Sequence, residues 1–146
     1  MAIGKSVKRV DAVAKVTGRA RYTDDLYMPG MLVAKYLRST IAHGRVKTMD
    51  TGKARQYPGV EAVFTYEDVP KTPFASAGHP YSLDPAHKDV ADRLLLTQHV
   101  RFWGDEIAIV VAENNIVLQE ALQVIEVEYE TYEPMVSPQA ALAKGA

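Results

Sequence analysis

Histidine is the residue type of this chain best suited to binding a metal ion or moving a proton. The chain has four histidines, which are His43, His79, His87 and His99. No two of them stand four residues apart around a glutamate, the spacing that places zinc ligands on one helix face. We therefore assign no metal site to them. His43 follows a predicted strand, and we expect its side chain to hold the turn through a backbone hydrogen bond rather than to act as a catalytic base.

A second set of chemically capable side chains is acidic. Glu126, Glu128 and Glu130 alternate along one predicted strand, so their carboxylates project from one face at intervals of about 7 Å. Carboxylates so spaced could bind a divalent ion or a basic partner, but a solvated face is the simpler interpretation. Asp24 and Asp25 form another acidic pair, and no further acid stands at a spacing that indicates paired acid–base catalysis.

Motifs for phosphate binding and for nucleophilic catalysis are incomplete. Gly4-Lys5-Ser6 is similar to the end of a phosphate-binding loop, yet that loop needs a glycine five residues earlier, and only three residues precede Gly4. No nucleophile elbow surrounds the other serines, which are Ser39, Ser76, Ser82 and Ser137. The sequence therefore predicts no catalytic, cofactor-binding or metal-binding residue in this chain.

Composition narrows the classes of partner and compartment. The formal net charge is −1, from 17 Lys and Arg against 18 Asp and Glu, so no global field favours nucleic acid or an anionic membrane. The chain has no cysteine, which excludes disulfides, thiolate metal sites and a cysteine nucleophile within it. No apolar run approaches the roughly 20 residues that cross a bilayer, and no signal peptide is evident. We expect a cytoplasmic protein.

The elements of the first half follow from turn residues and apolar patterning. Residues 1–22 are basic with few apolar anchors, and they predict a partly mobile arm. A strand is predicted over 31–39 after a Pro-Gly turn, and a short helix capped by Asp50 or Thr51 should follow and run to about Tyr57. Pro-Gly then ends this helix, and a second strand occupies 60–65.

Residues 70–93 contain five proline or glycine residues and show no sustained period of either kind. Loops longer than about 12–15 residues are uncommon in compact domains unless they are functional or mobile. Two interpretations stay open for this segment. It is either a surface excursion ordered by partner contacts, or the wall of a substrate entrance or an intersubunit contact.

The second half carries the strongest signals. The apolar, β-branched run over 106–112 predicts a strand buried on both faces, preceded by a tight bend or bulge at Gly104. Asn114 or Asn115 should cap the next helix. Its apolar stripe, at the spacing that places residues on one helix face, is Leu118, Ala121, Leu122 and Ile125. A strand with a charged face follows over 125–130.

The resulting order is strand, helix, strand, long loop, strand, helix, strand, with a helical end opened by Ser137-Pro138. This order predicts an α/β (α+β) fold in which helices pack on a mixed sheet. We expect a basic arm over 1–22, a folded domain over 23–136 and a helical stub or linker over 137–146. Trp103 should either pack at the edge of the core or present its face to a neighbouring domain.

Several motifs recur in one order along nearly the whole chain. They are the opening KVTGRARYTDDL over 15–26, RSTIAH over 38–43, WGDEIAIVVAE over 103–113 and VEYE over 127–130. Together they resemble the start of the molybdenum-binding subunit of the xanthine dehydrogenase and aldehyde oxidase family. AGHP over 77–80 and DRLLLT over 92–97 are most similar to the bacterial xanthine dehydrogenases.

The resemblance implies an α/β hammerhead domain at the front of a much longer enzyme. In that family a molybdenum–molybdopterin centre hydroxylates a purine or another heterocycle with oxygen from water, and electrons pass through 2Fe-2S clusters to FAD. The family's pterin-binding and catalytic residues lie beyond the aligned region, so no cofactor is expected in this chain. Its expected partners are the downstream molybdenum-binding domains and the iron–sulfur and FAD domains or subunits. The alternatives are an aldehyde oxidase, nicotinate or carbon monoxide dehydrogenase relative, and a free-standing binding or assembly module.

Overall fold

The computed structural model describes residues 3–76 and 89–143. They form two compact units, one that ends at Met31 and one that starts at Leu32. The first unit contains a short helix, α1 (Ala12–Val16), and a 3₁₀ turn, Thr23–Asp25. Asp11 precedes α1 and accepts hydrogen bonds from both Lys15 and Arg9, which lower the pKa of its carboxyl. The basic arm therefore has local helical structure of its own.

The second unit begins with a three-stranded antiparallel sheet in which β5 is central. Its strands, in the order β1-β5-β3, are β1 (Val33–Arg38), β5 (Glu106–Ala112) and β3 (Val60–Thr65). Val110 lies opposite Lys35 on one side and Val63 on the other, and it is fully buried. Ile109 and Val111 are only partly buried, so β5 is less completely enclosed than its apolar sequence predicts.

Two helices lie against this sheet. In α3 (Asn115–Gln123) the Asn114 side chain accepts from the amides of Ile116 and Val117, both at 3.0 Å, which satisfies two otherwise free N–H groups. The predicted apolar stripe is confirmed for Leu118 and Ala121, which are buried, and Leu122 is half-buried. Ile125 is buried too, but it lies beyond the end of the helix. The N-cap residue of α2 (Gly52–Arg55) is Thr51, and its side chain makes no capping hydrogen bond. The carboxylate of Asp50 accepts from the Gly52 amide instead, at 2.8 Å.

A second antiparallel sheet contains two strands that the sequence analysis missed. Its order is β4-β2-β6, with β4 (His99–Val100), β2 (Gly44–Asp50) and β6 (Glu126–Thr131). The register between β2 and β6 shifts between Val46 and Thr48. Because of this irregularity, the buried positions of β2 do not alternate strictly along its sequence.

The cores of the two sheets meet at shared side chains. One cluster includes Val63, Val110 and Leu118, and the other consists of Val46, Val100 and Ile107. Three partly buried residues pack against both clusters, and these are Leu37, Met49 and Val127. The single expected core is therefore two clusters joined by common neighbours.

The α/β class is confirmed, and four predicted strands are found at β1, β3, β5 and β6. The expectation of one mixed sheet needs correction, because the six strands form two sheets and every pairing among the described residues is antiparallel. A last helix, α4 (Pro138–Ala143), starts where Ser137 Oγ accepts from the Ala140 amide. Across the described ranges, no helix has the length and apolar character that crossing a membrane requires.

Of the long segment over 70–93, the structure describes 70–76 and 89–93. The backbones of Phe74 and Arg93 form an isolated antiparallel bridge, with N···O distances of 2.9 and 3.1 Å. The AGHP motif over 77–80, together with Ser82, His79 and His87, lies outside the described residues. The two interpretations of the segment as a whole stay open.

Candidate functional site

A buried carboxylate lies at the threshold of β5, on the residue immediately before the strand. The Asp105 side chain is only 2% exposed, and both of its oxygens accept hydrogen bonds. Oδ1 accepts from Arg93 Nη1 at 3.1 Å, and Oδ2 accepts from the Arg101 backbone amide at 3.0 Å. A buried carboxylate needs such partners, because taking an unpaired charge out of water is costly.

Arg93 connects this carboxylate to a second one. Its Nη2 donates to Glu106 Oε2 at 2.7 Å, and its guanidinium carbon lies 4.7 Å from the centre of the Phe102 ring. The two ion pairs and the aromatic face fix a side chain that is 18% exposed. Arg93 therefore anchors the described end of the long segment to the first residues of β5.

The end of β1 is joined to the same place. Arg38 Nη1 donates to Glu106 Oε1 at 2.7 Å and to the Gly104 carbonyl at 2.9 Å. The Ser39 amide donates to the Asp105 carbonyl at 2.9 Å, and the Gly104 amide donates back to Ser39 at 3.1 Å. Gly104 has φ +88°, a left-handed conformation that confirms the predicted tight bend. We call Arg38, Ser39, Arg93, Asp105 and Glu106 the threshold network.

The threshold network joins neighbouring segments of the fold, and its buried polar atoms are occupied by protein partners. A general base must reach the proton that it removes, and Asp105 is enclosed with both oxygens occupied by protein donors. Ser39 is 2% exposed, and its hydroxyl lies 3.1 Å from the Ile41 carbonyl. Among the described residues, every buried side-chain nitrogen or oxygen has a hydrogen-bond partner. No polar group there is left directed at an absent ligand.

His43 lies across from the residues that follow β6. Its Nδ1 donates to the Glu133 carbonyl at 3.1 Å, and its own carbonyl accepts from the Tyr132 amide at 3.0 Å. The Tyr132 ring meets the imidazole edge-on, with centroids 5.4 Å apart. The expectation of a backbone hydrogen bond is met, but the bond joins two distant segments instead of closing a local turn.

An open groove of about 360 Å³ lies beside His43. Its lining residues are Ala42, His43, Arg101, Phe102, Trp103, Pro134, Met135 and Val136, and we call it the exit groove. Trp103 is 69% exposed and Val136 is 83% exposed. Of the two placements expected for Trp103, the structure therefore favours an outward-facing ring over one packed at the edge of the core.

The three glutamates of β6 are exposed, and two of them pair with lysines from neighbouring elements. Lys47 Nζ lies 2.7 Å from Glu128 Oε1, and Lys53 Nζ lies 2.5 Å from Glu126 Oε1. The hydrogen bond from Lys47 holds the pKa of the Glu128 carboxyl below its ordinary value. The bond with Glu126 raises the pKa of Lys53. This acidic face is solvated, and its charges are largely neutralised by lysine.

One further carboxylate caps a turn after β3. Asp68 Oδ2 accepts from the Thr65 amide at 2.7 Å and from the Thr65 hydroxyl at 2.9 Å. These two bonds, with the charge of Arg55 nearby, lower the pKa of Asp68. The group is structural, because its donors belong to the turn that it closes.

The fold and these sites define an α/β domain whose few buried polar groups pair within the domain and whose exit groove is apolar and open. The family model described as "Aldehyde oxidase and xanthine dehydrogenase, a/b hammerhead domain" matches residues 17–133. The chain therefore belongs to the hammerhead domain family of these enzymes.

Individual relatives agree with this family. The chain is 54% identical over 138 residues to the xanthine dehydrogenase molybdenum-binding subunit of Escherichia coli O157:H7, covering 94% of this chain and 18% of that protein. It is 34% identical to the carbon monoxide dehydrogenase large chain of Afipia carboxidovorans, over 99% of this chain and 17% of that one. The crystal structure of quinoline 2-oxidoreductase from Pseudomonas putida 86 superposes with a TM-score of 0.82 at 34% identity, over all of this chain and 18% of that one. The chain thus spans under a fifth of the length of these relatives.

The described residues do not form a site for the molybdenum–pterin group of the relatives. They contain no cluster of three or more His, Asp or Glu side chains that could hold a metal ion. Every buried side-chain nitrogen or oxygen among them has a hydrogen-bond partner within the domain, so no unpartnered buried polar atom points to a pterin.

Several of these residues were predicted from the sequence, and others were not. Ser39 and His43 have structural partners, while Asp25 Oδ2 accepts from the Tyr22 amide. The assignment of no catalytic residue stays a prediction. The pairing of Asp105 with Arg93 was missed, although an acid between a glycine and a buried strand was a usable signal.

Proposed function

We propose that this chain is the N-terminal, non-catalytic domain of a molybdenum hydroxylase that oxidises a purine. The observation that carries the proposal is the 54% identity to a xanthine dehydrogenase molybdenum-binding subunit across 94% of the chain. The identity to the carbon monoxide dehydrogenase large chain is 34%, which favours the purine substrate class. The molybdenum–pterin centre would supply the hydroxylation chemistry from elsewhere in the enzyme.

The role proposed for the chain itself is to fold independently and to position neighbouring parts of the enzyme. The threshold network supports this role, since it ties the end of β1, the end of the long segment and the start of β5 into one unit. The division into an arm over 1–22, a domain over 23–136 and a linker over 137–146 belongs to the proposal. So does the absence of catalytic, cofactor-binding and metal-binding residues.

The proposed partners are the molybdenum-binding domains that follow in the relatives, and the 2Fe-2S and FAD domains or subunits that would receive electrons. Because the chain has no cysteine, iron–sulfur ligation has to come from another part of the enzyme. The proposed compartment is the cytoplasm.

Two measurements test the proposal. The natural reading frame should continue for several hundred residues after Ala146, and the longer polypeptide, expressed with molybdenum cofactor synthesis, should oxidise xanthine in the presence of an electron acceptor. The chain alone should give no rate above buffer. Faster oxidation of an aldehyde, nicotinate or carbon monoxide would reassign the substrate. Turnover by the chain alone would overturn the non-catalytic role, and a stop codon directly after Ala146 would favour a free-standing module.

A further inference from the structure

The exit groove is built by two segments that meet at the end of the domain. One is the turn at Arg101–Trp103 that precedes β5, and the other is the exit segment, residues 132–136, which leaves β6 and leads to α4. Large apolar side chains from both segments are exposed, with Phe102 at 44% and Met135 at 47%. Exposed apolar side chains gathered in one groove make it a candidate surface for interaction.

The wall that the exit segment provides is already fixed. The Tyr132 amide donates to the His43 carbonyl, and His43 Nδ1 donates to the Glu133 carbonyl. The edge-on contact between the Tyr132 and His43 rings adds a third restraint. A groove whose wall is held in place loses less conformational entropy when it is filled, so its affinity for a partner is higher.

The positive charge of Arg101, beside the groove, is already paired within the domain and does not favour an acidic partner. Arg101 Nη1 lies 3.3 Å from Asp92 Oδ2, and Arg101 Nη2 donates to the Asp92 carbonyl at 2.6 Å. Its guanidinium is thus neutralised within the domain. The chemistry that fits the remaining surface is an apolar side chain, leucine or phenylalanine in kind, carried on a polypeptide segment.

Chain connectivity favours one source for that segment. Val136 stands seven residues before Ala143, a distance of at most about 25 Å if fully extended and roughly 10 Å if helical. In the relatives the polypeptide is more than five times the length of the matched part, since that part is 18% of the whole. Polypeptide tethered this closely reaches an effective concentration in the millimolar range, on the order of a thousandfold above a second copy at micromolar concentration.

We propose that the exit groove receives an apolar segment of the polypeptide that follows α4, and that His43 is the positioning residue that keeps the groove open. This inference rests on the proposed function, because it needs a continuing chain. Docking at this place returns the polypeptide onto the domain that it has just left. The domain is thereby fixed against the part of the enzyme that performs the reaction.

Hydrogen exchange measured on the chain and on the longer natural polypeptide tests this. Amides of residues 101–103 and of the exit segment should exchange at least about tenfold more slowly in the longer polypeptide. Trp103→Ser and Val136→Ser should each remove this protection without unfolding the domain, since both side chains are mostly exposed. Ile116→Ser is the matched control, because Ile116 is 72% exposed on α3, outside the groove, and should leave the protection unchanged. His43→Ala should weaken it.

Each other outcome has a defined meaning. If a longer, xanthine-oxidising polypeptide exists but the groove amides exchange equally fast in both proteins, the docking inference is wrong and the proposed function stands. If no continuation exists, the proposed function fails first. If the chain alone dimerises with slow exchange at the groove amides, and Trp103→Ser abolishes both the dimer and the slow exchange, then a second copy is the occupant and the inference is overturned.

Discussion

Ion pairs occur in two regions of this domain, the threshold network and the acidic face. They differ in exposure to solvent, and we expect them to differ in their contribution to stability. At the threshold, Arg93 bridges Asp105 and Glu106 with side chains that are 18%, 2% and 21% exposed. On the acidic face, Lys47 and Glu128 are 60% and 56% exposed at a similar distance. Water screens the second pair and rehydrates either partner if the other is lost, whereas the first has no such alternative. Distance alone therefore does not rank ion pairs.

The largest effect is expected at the threshold. Asp105→Ala removes the acceptor of the Arg101 amide and one partner of Arg93, leaving buried donors unpaired. The free energy of unfolding should fall by about 3–5 kcal/mol, measured by urea denaturation of the chain. The double variant Asp105→Leu with Arg93→Met is the control, and it should recover part of the loss because it leaves no uncompensated charge. If Asp105→Ala lowers the free energy of unfolding by less than about 1 kcal/mol, the threshold network stabilises the domain no more than an exposed ion pair does.

In the second sheet, the close approach of the β2 and β6 backbones at Gly44 should contribute more to stability than the charged side chains on the surface of the sheet. At Gly44 an added Cβ would overlap the Glu130 carbonyl oxygen and come within 2.6 Å of Ile41 Cδ1. Gly44→Ala should therefore push β2 and β6 apart and cost about 1–3 kcal/mol in the same urea assay. Gly52→Ala is the matched substitution, because its nearest neighbour is the adjustable Asp50 side chain at 3.1 Å. Equal costs for the two variants would refute this explanation.

At Asp68 we expect an effect of intermediate size on the pH dependence of the domain's stability. Its carboxyl has a lowered pKa in the folded domain, mainly because the Thr65 amide and hydroxyl donate to it. A lowered pKa stabilises the fold above the unfolded value, near 3.8, and this stabilisation is lost as the pH falls through the folded value. Urea midpoints at pH 7 and pH 3 should differ less for Asp68→Asn than for the unmodified chain. Identical pH dependence would show that the turn draws no stability from the charged form.

The smallest effect is expected on the acidic face. Lys47→Ala removes the partner of Glu128, but both groups are exposed and the glutamate is rehydrated. The urea midpoint at physiological salt should stay within experimental error of the unmodified chain, and Lys53→Ala should behave in the same way. A shift that approaches the one caused by Asp105→Ala would end the distinction between the two regions.

Local signals made part of the fold predictable. The apolar run of β5 and the stripe at Leu118 and Ala121 are short-range patterns, and the Asn114 cap depends on amides two and three residues ahead. Each of these features is written in a few consecutive residues. The strands β3 and β6 follow for the same reason, since turn residues bound the first and alternation marks the second.

The missed elements depend on information that is not local. In β2 the register shift between Val46 and Thr48 interrupts the alternation, so the buried residues do not keep a period of two. β4 has only two residues, which is too short to produce a pattern. Arg93 and Asp105 are twelve residues apart, and only the folded path of the chain between them makes them partners. For the candidate sites, sequence supplied the residue types but not the pairings.

The two apolar clusters share three neighbouring residues, which are Leu37, Met49 and Val127. Each side chain packs against both apolar clusters, so neither cluster can open without loosening contacts of the other. The domain is consequently expected to melt in a single sharp step and not sheet by sheet. All-or-none unfolding means that a force applied at one end of the domain is resisted by the whole domain.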